Sequence, residues 1–365
     1  MIAIRPGTLT SRARVLKAFH HEEPDRVPID YAANPGIHAR FCRALGLRPD
    51  DYEGLLRALD VDFRGLALPY TGPVLHAPVP GRNVDPLFGI RTRWIEHEGG
   101  GYEDFCDFPL AEAGLETIAA WPMPDPDDFD YGSLPDQCRY HRDKAIYYGS
   151  PGLADIINST GMIRGMEQTL VDLLTGDPAG LLYIDRRLAV QLAQAERALD
   201  QCRGHLSFFF IGEDLGTQHA PLIGLDLYRE VLRPRHQQFI DLARAYDLPV
   251  MIHSCGASSW AFPDFIDMGL SAVDTLQPEA AGMDAERLKH TFGDKLAFHG
   301  GITTGGVVAF GTPEETEAEV RRVLRIMMPG GGYCLSPAHM LQDNTPVENL
   351  LALYRTGHEA GWYRG

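Results

Sequence analysis

No run of about 18 apolar residues occurs in this 365-residue chain, which excludes a membrane-spanning helix. The opening stretch, Met1 to Thr10, lacks both an apolar core and a small-residue cleavage site, so a cytoplasmic location is the expectation. Basic clusters are missing too. Lys and Arg number 33 against 50 Asp and Glu, a net charge of −17, which argues against nucleic acid because phosphate binding needs gathered cations. The six cysteines, at 42, 106, 138, 202, 255 and 334, are too scattered for a disulfide framework and fit reduced thiols. No G-x-G-x-x-G or P-loop glycine pattern follows the first apolar run, which disfavours an open dinucleotide-binding sheet.

What is present is alternation. From Arg26 onward, short apolar runs alternate with longer helical patterns, the signature of a parallel sheet with crossover helices. Eight strands are expected: Val27–Asp30, Asp62–Leu68, Ala145–Gly149, Leu206–Ile211, Pro249–His253, Ala272–Leu276, Lys295–His299 and Tyr333–Ser336. Thr312-Pro313-Glu314-Glu315 supplies a capping hydroxyl, a first-turn proline and a reciprocal acid for the helix before the last strand. Leu225 to Tyr246 reads as helical, with a kink or break at Pro234. These units predict an α/β fold, a (β/α)8 TIM barrel in one domain, whose chemistry sits beyond the strand C-termini. An insertion at about 70–144 follows the second strand and carries a β-hairpin, Thr92–Ile95 with Tyr102–Phe105 around the glycines at 99–101.

The most informative stretch is Val250-Met251-Ile252-His253-Ser254-Cys255-Gly256. Side chains on an extended segment repeat every second residue, so His253 and Cys255 can face the same spot. Zinc accepts both donors, and a catalytic zinc needs three protein ligands and one open position. In a barrel, the other strand ends would face the same mouth with Asp30, Glu213, Asp214, Gln277, Glu279, His299, Ser336 and His339. Glu213, Asp214, Gln277 and His299 are the catalytic candidates. Each has a plainer structural alternative: a turn cap for the two acids, loop backbone satisfaction for Gln277, a tight-turn histidine for His299. For the third metal ligand, His339 ranks ahead of Cys334, because His339 lies beyond its strand at a depth comparable to Cys255, whereas Cys334 lies inside its strand, where thiols serve as small core residues.

Taken in order, Ser11–Phe19 with Pro24–Pro28, Met162–Glu167, Gly212–Gln218, His253–Gly256, Phe298–Ile302 and Gly331–His339 resemble the uroporphyrinogen decarboxylase superfamily over nearly the whole chain. Decarboxylases of that superfamily hold their polyacid substrate with an arginine-rich stretch soon after the first strand. Here that region reads Asp30-Tyr31-Ala32-Ala33-Asn34-Pro35-Gly36, without basic residues. The chain is more similar to the corrinoid-dependent methyltransferase branch, which includes the coenzyme M methyltransferases. That resemblance implies Zn2+ on His253, Cys255 and a later thiolate. The later thiolate's usual Pro-Gly-Cys setting is Pro337-Ala338-His339 here, which leaves His339 and Cys334 as the alternatives. It also implies a small methylated substrate, a homodimer, and cobalamin on a separate corrinoid protein, since no Asp-x-His-x-x-Gly cobalt-ligating segment occurs here. The rivals are a metal-independent decarboxylase and a non-catalytic tetrapyrrole- or corrinoid-binding barrel.

Overall fold

The computed structural model describes residues 4–97 and 100–364. Ten strands occur among them: β1 Phe63–Gly65, β2 Asn83–Val84, β3 Arg91–His97, β4 Gly100–Phe105, β5 Ala145–Gly149, β6 Phe208–Gly212, β7 Val250–His253, β8 Ala272–Leu276, β9 Ala297–Ile302 and β10 Tyr333–Pro337. Seven of them form one parallel sheet in the order β1-β5-β6-β7-β8-β9-β10. Its strands read as continuous apolar runs because helices cover one face and the sheet curls over the other. Every residue of β6, β8, β9 and β10 is buried.

Val27–Asp30, expected as a full strand, pairs only locally. Ile29 bridges Leu335 in parallel, the Leu335 N–H donates to Pro28 O at 2.8 Å, and the Asp30 N–H donates to Leu335 O at 2.9 Å. On its other side the Asp62 N–H donates to Ile29 O at 2.9 Å. The segment thus spans the gap between β10 and β1. Pro28 has no N–H to extend the ladder, which keeps the pairing short. The architecture is that of a curled, TIM-barrel-like α/β sheet with seven ladder strands.

The helices follow their sequence signals. Thr312 and Glu315 form the reciprocal capping box at the start of Pro313–Met327. Asp177 accepts from the Ala179 and Gly180 N–H groups to start Pro178–Gln201. The stretch after Leu225 is divided as expected: a π-type turn over Tyr228–Leu232 absorbs the missing donor of Pro234 before Arg233–Ala245 resumes. In the insertion, β2, β3 and β4 make a small antiparallel sheet, with Ile95 opposite Tyr102 and Thr92 opposite Phe105. Of the glycines expected around its turn, Gly99 lies outside the described residues. No helix among the described residues is long and apolar enough to cross a membrane.

The amino end of the sheet is closed by charge. Asp62, wholly buried, takes Arg14 at 2.6 Å, Arg26 at 2.7 Å, the Ser11 hydroxyl at 2.7 Å and the Ile29 N–H at 2.9 Å. Arg14 also meets Asp25 at 2.8 Å and Arg26 meets Asp60 at 2.7 Å. A buried charge is tolerable when its lone pairs are filled in this way. The clasp leaves the opposite, carboxyl end free for chemistry.

Candidate functional site

Parallel register brings three strand ends level, with Gly212 opposite His253 and His253 opposite Asp274. The period-two expectation holds at the end of β7. Cys255 Sγ lies 3.2 Å from His253 Nε2, while Ser254 turns into the interior. Gly256 makes this turn possible. Its φ of +70° suits glycine, and a Cβ there would stand 2.4 Å from Gly216 O. Asp214, following β6, completes the group. Its Oδ1 accepts the Cys255 N–H at 2.8 Å and lies 3.5 Å from His253 Nε2, and its Oδ2 accepts from Asn158 Nδ2 at 2.7 Å. The donor atoms of Asp214, His253 and Cys255 all lie within 4.8 Å of one another.

Behind them runs a chain of carboxylates and imidazoles. Asp274 accepts His253 Nδ1–H at 2.6 Å on one oxygen and His299 Nδ1–H at 2.6 Å on the other. His299 Nε2 in turn donates to Asp30 Oδ2 at 3.1 Å. Burial opposes charge on His299, but Asp274 and Asp30 outweigh it and raise its pKa to about 10. Burial likewise opposes an ionised Asp274, yet the two imidazoles hold it far below the usual carboxylate range. Burial pushes the Cys255 thiol up, against the pull of His253.

The other predicted residues fall in different places. Glu213 is fully buried and caps backbone: its oxygens accept the Ile156 and Ile157 N–H groups at 2.8 and 3.0 Å, and His236 Nε2 lies 3.1 Å away. Burial raises its pKa to about 8 and that of neighbouring Asp155 to about 7. Gln277 braces the turn, its Oε1 accepting the Gly256 N–H at 2.8 Å and Gln218 Nε2 at 3.3 Å. Neither His339 nor Cys334 joins the three clustered donors. His339 is exposed, because the Ala338 N–H binds Ile302 O and the Leu341 N–H binds Ala32 O, which carries the intervening residues outward. Cys334 is sealed in the sheet beside His299 in register, and burial drives its thiol pKa well up. The third clustered donor is therefore Asp214, which the sequence marked as an acid but not as a metal ligand. Asp274 was missed altogether. Its signal was a lone acid inside the apolar run Ala-Val-Asp-Thr-Leu, one strand over from His253.

The donor set fits a zinc ion. His253 gives its Nδ1–H to a carboxylate, so that loss of the Nε2 proton to an incoming metal would leave a lone pair facing Cys255, the arrangement that orients metal-bound histidines. Tetrahedral zinc with usual bond lengths sets nitrogen and sulfur about 3.6 Å apart, so the 3.2 Å pair would need to open by only about 0.4 Å.

A curled parallel sheet with such a cluster at its carboxyl end defines a barrel-type active-site mouth. Residues 212–360 match the family model described as Uroporphyrinogen decarboxylase (URO-D). A curated relative, Uroporphyrinogen decarboxylase of Azoarcus sp. (strain BH72), is 27% identical over 116 residues, which is 31% of this chain and 29% of that protein. A solved structure described as a methyltransferase from Methanosarcina mazei superposes with a TM-score of 0.66 at 18% identity, covering 96% of this chain and 99% of that one. The family match is confined to residues 212–360, whereas the fold of the Methanosarcina mazei protein is shared along nearly the full length of the chain.

Proposed function

We propose that the protein is a zinc-dependent methyltransferase on a (β/α)8-type barrel, moving a methyl group between a small methylated substrate and a separate corrinoid protein. The observation that carries this reading is the convergence of Asp214, His253 and Cys255 at the accessible end of the sheet. Bound there, zinc would stabilise negative charge on the heteroatom that loses or gains the methyl group. The protein's own contribution is preorganisation. Asp274 orients the imidazole for ligation through Nε2, Gln277 and Asp214 hold the Cys255–Gly256 turn by its N–H groups, and the His253 and Asp214 side chains keep 15% and 22% of their surface exposed. Likeness to the Methanosarcina mazei protein supports the fold on which this chemistry would run.

Decarboxylation of a porphyrinogen-like polyacid is the second reading, favoured by the name of the Azoarcus relative. Against it, Arg14 and Arg26 near the amino terminus are buried in the Asp62 clasp and cannot hold substrate carboxylates. Two measurements separate the readings. Metal analysis of protein prepared without chelator should find about one zinc per chain, lost in His253→Ala and Cys255→Ala, and reduced cobalamin should accept methyl groups from a panel of methoxylated aromatics, methylamines and methylated thiols. Metal-free protein that releases carbon dioxide from uroporphyrinogen would replace the first reading with the second.

A further inference from the structure

The loops beyond the strand ends share one property. Segments 31–34, 150–156, 213–224, 254–261, 277–284, 303–312 and 338–346 contain neither lysine nor arginine. They and the strand ends carry Asp30, Asp155, Glu213, Asp214, Asp274, Glu279, Asp284 and Asp343. The loop after β1 reaches Arg82 only at its far end, where Asp107 holds it at 2.9 Å. Three guanidiniums approach these loops from helices: Arg287 comes to Gly282 in loop 277–284, and the other two are engaged. Arg40 donates to Asp343 O and Thr345 O, and Arg187 donates to Asp155 O and Gly152 O.

Within the mouth, Asp30, Asp214 and Asp274 keep 21%, 22% and 11% of their side chains open to solvent. These carboxylates and the Cys255 thiolate outnumber the positive charge of His299 and a divalent ion by one negative charge. Aromatic rings stand beside them. Phe63 packs edge-on to His299 at 5.3 Å, and Tyr147, stacked on Phe208 at 4.8 Å, lies within the field of both Asp30 and Asp274. Arg64 also acts on Tyr147, but Glu53 engages it at 2.8 Å. Carboxylates with aromatic faces, where the nearby guanidinium is already paired, are the surroundings that select ammonium groups over anions.

We infer that the substrate of this mouth is a cation, a small molecule bearing an ammonium group beside its methylated heteroatom or thiol. The chemistry rests on the methyl-transfer reading, whereas the charge preference rests on the loops and strand ends alone. Three thiols of equal length test it by calorimetric titration into the zinc-loaded full chain at low salt: 2-mercaptoethylamine, 2-mercaptoethanol and 2-mercaptoethanesulfonate. The amine should bind at least about tenfold more tightly than the alcohol, and the sulfonate most weakly. Asp30→Asn should cut the amine's advantage over the alcohol about tenfold, with Tyr147→Leu as a second variant acting in the same direction. A sulfonate that binds as tightly as the amine, or an Asp30→Asn variant with unchanged preference, overturns the inference. Chelator-treated protein gives an arm that needs no metal. There n-butylammonium should outcompete butyrate, and the reverse order overturns the charge preference whatever the metal content. If the cation preference holds in protein that never binds zinc, the charge inference stands and the methyl-transfer reading falls.

Discussion

Asp274→Asn is the sharpest probe of the centre, because it exchanges one oxygen for an amide nitrogen and changes almost no volume. Each carboxylate oxygen of Asp274 accepts one imidazole Nδ1–H at 2.6 Å. An asparagine keeps one acceptor and turns the other position into an N–H donor, which meets one imidazole donor to donor. If His253 is that imidazole, it must shift its proton to Nε2, and the lone pair facing Cys255 is lost. If His299 yields instead, it loses the charge that the two carboxylates support. Replacing a carboxylate behind a ligating histidine typically weakens metal binding by about 10- to 100-fold, and the tautomer conflict puts this variant toward the upper end, about 2.7 kcal/mol at 100-fold. The assay is zinc competition against a chromophoric chelator, with the His253 tautomer read by nitrogen NMR. A variant that keeps the wild-type zinc affinity and the Nδ1–H tautomer refutes the argument that Asp274 orients His253.

Other outcomes follow from the same structure. Asp214→Ala should lower zinc content while His339→Ala and Cys334→Ala leave it intact, as measured by metal analysis; a loss confined to His339→Ala would restore the ligand that the sequence favoured. Glu213 has a folded-state pKa of about 8 against an ordinary 4.5, so the folded form holds its proton more tightly and stability falls as pH rises through that window. Glu213→Gln should flatten this fall in urea titrations run from pH 5 to 8; an unchanged slope would remove Glu213 as its source. His299, with a pKa of about 10, contributes stability that is full below its ordinary 6.5 and is lost as pH climbs toward 10. His299→Gln should therefore reduce the alkaline fall, and an unaltered profile there would argue against a charged His299. Asp62→Ala strands the Arg14 and Arg26 charges in a dry site and should cost about 3–5 kcal/mol in chemical denaturation. A cost below about 1 kcal/mol would mean that water reaches the clasp.

Much of the fold could be read from the chain, since buried parallel strands are apolar on both faces and stand out against amphipathic helices. All seven ladder strands fall on expected runs, though β1 is shorter than Asp62–Leu68 and β9 runs on to Ile302. The first strand failed as a ladder for a local reason, the absent donor of Pro28. At the site, the His253–Cys255 pair was legible because a two-residue spacing on an extended chain fixes direction. The third donor was not. Whether a residue beyond a strand faces inward depends on how the loop backbone turns, and the bonds that turn His339 outward, from Ala338 and Leu341, involve backbone groups that leave no mark in side-chain pattern. Glu213 and Asp214 are neighbours with opposite fates for the same reason. One points into the core to cap Ile156 and Ile157, the other across to Cys255. Asp274 lay hidden inside an apolar run, where only strand register reveals its partner.

The segment that spans the gap in the sheet ties residues 26–30 to Leu335 and Trp362, some 300 positions later in the chain. During synthesis, the ring cannot shut until those late residues leave the ribosome, so the earlier strands wait as an open sheet with exposed edges. Closure then depends on pairing segments some 300 residues apart, a slow step. The nascent protein is consequently most vulnerable to aggregation before that closure, and a helper that shields the β1 and β10 edges at that moment would raise its yield more than one that acts on the finished protein.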